Sequence, residues 1–129
     1  GRNRAGVSEA ISRRSIAEYE LRATQLQARE LVRTAFLQVQ ASDRQTDAAS
    51  ILVESTALSS EAMQQGFALG TVTSVDVLNA LRDQFQAERE LQRIRYEHIR
   101  YLLLLKRETG TLSAEDMLEV GGWLEPQSP

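Results

Sequence analysis

The stretch Gly66-Phe67-Ala68-Leu69-Gly70-Thr71-Val72-Thr73-Ser74-Val75-Asp76 divides a chain of 129 residues that has few other breaks. Two glycines four residues apart bracket an apolar pair. Gly66 suits the C-cap of a helix ending there, and Gly70 suits a second turn just beyond it. Thr73-Ser74-Val75-Asp76 then reads as a variant capping box. The Thr73 hydroxyl caps a new helix while the Asp76 carboxylate reaches back, favoured by the positive N-terminal end of the helix dipole. The chain therefore reverses over residues 66–73, between a helix of about 7–65 and a second of about 74–108.

The first helix follows from what is missing as much as from what is present. Val7 to Gln65 contains neither Pro nor Gly, and apolar or small residues recur at helical spacing: Ile16, Leu21, Ala28, Leu31, Val32, Ala35, Phe36, Val39, Ile51, Leu52 and Met63. Steps of seven link Leu21, Ala28, Ala35, Ser42, Ala49, Thr56 and Met63, and a second set links Thr24, Leu31, Gln38, Gln45, Leu52 and Ser59. Heptad spacing of this kind describes a coiled-coil helix, here with Ala, Ser and Thr that let a neighbour approach closely. Glu18 and Arg22 stand four apart in the favourable order for a surface ion pair. In the second helix Leu91, Ile94, His98, Tyr101 and Leu105 alternate by three and four, and the pairs Arg93 with Glu97 and Glu97 with Arg100 decorate the surface. That helix stops at Gly110; Ser113-Ala114-Glu115-Asp116 opens a short third helix to about Val120, and residues 121–126 read as irregular. At about 1.5 Å per residue the two long helices differ by roughly 40 Å, so an amphipathic surface on the first needs cover from outside the pair. The organisation is an all-α antiparallel hairpin over residues 1–110, followed by a short helix and tail over 111–129.

Composition excludes several functional classes. The net charge of −3 lacks the basic excess of a phosphate-binding surface, so no nucleic acid is expected. Lys106 is the only lysine among 15 basic residues, a bias read first as compositional. With no Cys, neither a disulfide nor a thiolate metal site can form. The longest strongly apolar run, Tyr101 to Leu105, falls far short of the roughly 20 residues of a membrane-spanning helix. Gly1-Arg2-Asn3-Arg4 is basic but no apolar segment follows it, so it does not read as a signal peptide. His98 is the only histidine and lies within a coiled-coil seam, where a structural role outweighs metal ligation or base catalysis. Glu88/Glu90 and Glu115/Asp116 sit on solvated faces or at a helix start, Ser59 and Ser60 lack a base, and no phosphate-binding Gly loop occurs. Trp123 suits an anchor for the tail. No catalytic constellation, cofactor or metal is expected.

The segment from Gly66 through Ala80 resembles the TolC family of outer-membrane efflux and type I secretion channels. The match is to a Gly-aromatic-x-x-Gly pattern, then Thr, then a Val-Asp-Val-Leu type of run. Glu88-Arg89-Glu90-Leu91, Arg95-Tyr96 and Thr109-Gly110-Thr111-Leu112 are similar to the family in register, as is Gly1-Arg2-Asn3-Arg4-Ala5 to the residues after its last β-strand. The resemblance implies a homotrimer with a β-barrel in the Gram-negative outer membrane and a periplasmic α-barrel of coiled coils. This chain would supply a hairpin of that α-barrel, with residues 66–73 at the periplasmic tip and 111–124 in an equatorial region. The family's β-strands and first structural repeat are not among these residues, so the chain reads as part of a longer one.

By the same resemblance, Asp76 occupies a position whose carboxylates face the pore near its periplasmic entrance. Three copies would form an acidic ring that favours cations, each pKa raised by its neighbours; the plainer reading is a helix cap. Asn79 stands where a second acidic residue is found, Val72 replaces a basic residue of the constriction, and Phe67 replaces a tyrosine. Closure by charges and hydroxyls is thereby weakened in favour of apolar packing of Phe67, Leu69 and Val72. The turn residues Gly66, Phe67, Leu69, Gly70 and Thr71 are candidates for contact with a periplasmic adaptor (membrane fusion) protein, which would couple the channel to an inner-membrane transporter. The alternative is a stand-alone helical interaction or scaffold module, an adaptor-like coiled-coil hairpin. The parent reading frame separates the two: upstream strands of alternating polarity and an earlier copy of the hairpin belong to the channel alone.

Overall fold

A computed structural model describes residues 2–111, 118 and 120–123. Two helices account for nearly all of them: α1, Arg2–Ala68, and α2, Ser74–Thr109. No strand occurs among the described residues. The first helix thus begins at Arg2, earlier than Val7, because Gly6 is held within the regular helix with open space around it. It also runs past Gly66 to Ala68. With 67 residues against 36, α1 is much the longer.

The chain divides into two compact units, residues 37–104 and residues 1–36 with 105–129. In the first of these, α1 and α2 pack antiparallel on either side of the turn. The inward face of α1 is Val39, Ser42, Thr46, Ala49, Val53, Thr56, Ser60 and Met63, all buried or half-buried. Their spacing alternates three and four, the signature of a coiled-coil seam. The facing seam of α2 is Val77, Ala80, Gln84, Ala87, Leu91, Ile94, His98 and Tyr101, again buried or half-buried throughout. Small residues recur in both seams, Ser42, Ala49 and Ser60 on α1 and Ala80 and Ala87 on α2, and all five are buried.

Of the two heptad rows expected on α1, one is inward and one is not. Of the row Leu21, Ala28, Ala35, Ser42, Ala49, Thr56 and Met63, Leu21 is 60% exposed and the rest are buried or half-buried; within residues 37–104 the companion row in the seam is Val39, Thr46, Val53 and Ser60. In the row Thr24, Leu31, Gln38, Gln45, Leu52 and Ser59 only Gln38 is half-buried and the others are exposed, with Leu31 at 49% and Leu52 at 51%. β-branched Val and Thr fill the inward row, and the leucines interleaved with Gln were the misleading signal.

The buried hydroxyls are satisfied locally. Thr46 and Thr56 donate back to the Ser42 and Leu52 carbonyls at 2.8 Å, and Gln64 donates to Ser60 at 3.0 Å. Ser42 donates to the Val39 carbonyl at 2.9 Å, and its Oγ lies 2.6 Å from His98 Nδ1 on the other helix. Which of Ser42 Oγ and His98 Nδ1 donates is set by the histidine tautomer; either way the lone histidine is a polar tie across the seam.

In the second unit the buried apolar residues are Val32, Ala35 and Val120. Residues 120–123 are helical, so the two glycines at 121 and 122 do not make the tail irregular there. Residues 113–117, where a third helix is expected to start, lie outside the described set, as do 124–129. Along α1, residues 2–27 are exposed throughout. Glu97 pairs with Arg100 at 3.1 Å as expected, but Glu18 accepts from Arg14 at 3.1 Å rather than from Arg22, and Arg93 takes Glu90 rather than Glu97.

Candidate functional site

The site begins with how the turn is closed. Thr71 N–H donates to the Gly66 carbonyl at 2.8 Å and Gly70 N–H to the Phe67 carbonyl at 3.1 Å. These nested bonds form a Schellman motif, with Gly70 at φ 76° as its left-handed residue. The helix end therefore belongs to Gly70, not Gly66. Gly66 is favoured for another reason: a Cβ there would lie 3.0 Å from Thr71 Oγ1 and 3.2 Å from Val72 Cγ2. Thr71 adds a bond from its hydroxyl to the Gly66 carbonyl at 3.0 Å, so the turn is folded tightly back over the last turn of α1.

The start of α2 is the expected capping box. Asp76 N–H donates to Thr73 Oγ1 at 3.2 Å, and Thr73 N–H donates to the Asp76 carboxylate at 3.0 Å. The bond from the Thr73 backbone, then that from its hydroxyl, holds the Asp76 carboxyl below the usual aspartate range. In one copy of the chain Asp76 is thus a stabilised carboxylate at a helix N-terminus, fully open to solvent. The raised pKa expected of a ring belongs to several copies together and has no counterpart within one.

The other candidates separate into packed and open groups. Val72 is half-buried against Gly66, tucking the turn down. Phe67 and Leu69 point outward, 53% and 80% exposed, with Thr71 and Asn79 also exposed. The tip thereby presents two apolar side chains to whatever lies beyond it.

One row that motif reading missed is visible by counting heptads from Asp76. Asp76, Asp83, Glu90 and Glu97 recur every seven residues on one side of α2. An open groove of about 370 Å³ lies beside the middle two, lined by Leu52, Thr56, Asp83, Gln86, Ala87 and Glu90. Arg93 holds the Glu90 carboxyl below its usual range, chiefly through the hydrogen bonds of its guanidinium, 2.5 Å at the shortest. The row is therefore a line of acidic side chains starting at the tip. Among the described residues no cluster of His, Cys, Asp or Glu could hold a metal ion, and no helix is long and apolar enough to cross a membrane.

Comparison with known proteins places this geometry. The family model described as outer membrane efflux protein matches residues 1–111. Outer membrane protein TolC of Escherichia coli is 35% identical over 95 residues, 74% of this chain and 19% of that protein. TolC of Vibrio cholerae is 42% identical over 65 residues, 50% of the chain and 15% of the relative. The proteases secretion protein PrtF of Dickeya chrysanthemi is 33% identical over 64 residues, 50% of the chain and 14% of the relative. The chain thus spans a fifth or less of the length of the curated relatives it matches. No solved structure matches it at a significant level. With a family match over most of its length and relatives above 30% identity, the chain belongs to the outer membrane efflux protein family, among its TolC-like members.

Proposed function

We propose that this chain is a periplasmic hairpin of a TolC-like outer-membrane channel that exports substrates received from an inner-membrane transporter. In this reading residues 1–110 form a wall element of a trimeric α-barrel, and 111–129 contribute to its equatorial region. The observation that carries it is the tight reversal at residues 66–73 followed at once by a capped, solvent-open Asp76. A conduit needs such an end: a rigid rim with carboxylates fixed by the backbone rather than by flexible side chains.

Asp76, Asn79 and Val72 are assigned to the constriction. Asp76 supplies the charge, and the row through Asp83, Glu90 and Glu97 extends an acidic surface along the same side of α2. Three copies of Asp76 around an axis would repel one another and attract cations. Asn79 contributes no charge, and Val72 is engaged with Gly66, so the acidic ring would consist of Asp76 alone at that level. Gly66, Phe67, Leu69, Gly70 and Thr71 form the tip assigned to the periplasmic adaptor, with Phe67 and Leu69 as apolar anchors. The adaptor's complement would be apolar and small enough to enter between them.

The test is Asp76→Asn in the full-length parent channel, recorded in planar bilayers. Loss of block by multivalent cations and reduced cation preference are expected. Unchanged conductance and block would confine Asp76 to its capping role.

A further inference from the structure

The groove between Leu52 of α1 and Asp83 and Glu90 of α2 combines an apolar floor with an acidic rim. Its volume of about 370 Å³ falls within the range of small-molecule sites. Ala87, 4% exposed, and Leu52, 51% exposed, form the apolar part of the lining. Leu52 is the one apolar residue in the α1 row Gln38, Gln45, Leu52, Ser59, so the apolar surface of that row is concentrated at the groove. A lone leucine is too narrow a stripe for another helix to bury, but it is enough for a ring or a short alkyl chain.

The polar lining decides what kind of molecule fits. Asp83 and Glu90 bring two negative formal charges, and no lining residue is basic. Thr56 donates its one hydroxyl hydrogen to the Leu52 or Val53 carbonyl, at 2.8 and 3.0 Å, and so offers a ligand only lone pairs. Asp83 is exposed and has no hydrogen-bonded or ion-paired partner. Arg93 donates to both oxygens of Glu90, but a carboxylate accepts about four hydrogen bonds, so Glu90 keeps capacity for another donor. Gln86 is the one lining side chain with donors to spare. The groove therefore favours a ligand that donates hydrogen bonds and carries positive charge. Its two acidic residues stand one heptad apart on α2, about 10 Å along the helix axis.

We propose that this groove binds elongated organic dications, with one amidinium or ammonium end at Asp83, the other at Glu90, and an apolar body over Leu52 and Ala87. All six lining residues belong to one chain and to one compact unit, so the site is complete in a single copy. It stands whether or not the parent is a channel.

A biphenyl carrying an amidine at each end is a suitable probe, because its cationic carbons are about 10 Å apart, one heptad of helical rise. Titration of the 129-residue chain, followed by methyl NMR, should shift the Leu52 methyl signals with a Kd on the order of 0.1–1 mM. Added salt should weaken the binding. Asp83→Asn and Glu90→Gln should each weaken it about threefold and the double variant about tenfold, as expected of exposed charge pairs. Both side chains are exposed, so circular dichroism should show helix content unchanged. The biphenyl with a single amidine should bind about threefold more weakly, and the neutral dicarboxamide of the same shape about tenfold more weakly. Leu52 signals that stay in place, a dicarboxamide or single amidine that binds as tightly as the dication, or a double variant that binds like wild type would each overturn the proposal.

Discussion

Replacing Gly70 and Gly66 by alanine separates two physical reasons for a glycine within one turn. Gly70 has φ 76° and nothing within 4 Å of where a Cβ would stand, so Gly70→Ala meets no atom but forces an L-residue into the left-handed region. That costs about 1–2 kcal/mol, offset by roughly 0.5 kcal/mol from the lower entropy of the unfolded chain. The net expectation is a loss of about 1 kcal/mol, a roughly fivefold fall in the folded-to-unfolded ratio. Gly66→Ala has no such torsional cost, and in an open helix it would stabilise by about 0.5–1 kcal/mol. Here the new methyl would stand 3.0 Å from Thr71 Oγ1 and 3.2 Å from Val72 Cγ2, so both side chains must give way and that gain is expected to turn into a net loss. Val72→Ala removes that methyl group and should recover part of the Gly66→Ala loss, while leaving the effect of Gly70→Ala unchanged. Urea unfolding followed by helical circular dichroism measures all three single variants and the two doubles. Gly70→Ala at or above wild-type stability would refute the left-handed closure. Equal rescue of both glycine variants by Val72→Ala would refute the separation of strain from crowding.

Three further outcomes follow from the same geometry. Thr73→Ala removes the hydroxyl that accepts from Asp76 N–H and should cost about 1 kcal/mol, measured in the same unfolding experiment. Asp76 should titrate below 3.8 by carboxyl NMR, and Thr73→Ala should move it upward. Because its folded pKa is the lower one, the cap's contribution is present above the unfolded aspartate value and fades as pH falls through the folded value; stability should thus drop on the acid side and not near neutrality. Ser42→Ala leaves His98 Nδ1 without its partner in the seam and should cost about 1 kcal/mol, whereas Ser59→Ala, on the exposed side of the same helix, should change little.

Two helices, their reversal and the cap at Thr73 were decided by the sequence alone, because each rests on local chemistry. A run without Gly or Pro holds a helix, and a Thr three residues before an Asp can satisfy two backbone donors without reference to anything distant. The family could be read from the turn for the same reason: the residues that fold it are contiguous. Which face of α1 turns inward was settled only in the tertiary structure. Leu31 and Leu52 share heptad spacing with Val32 and Val53, and spacing cannot say which row a partner helix will cover. The choice between Gly66 and Gly70 as helix end likewise depended on where Thr71 and Val72 come to rest, since crowding at Gly66 exists only once the turn has closed over it. Arg14 rather than Arg22 reaching Glu18 turns on side-chain rotamers that equal spacing leaves degenerate. Local rules fix what a segment is; contact across the seam fixes which way it faces.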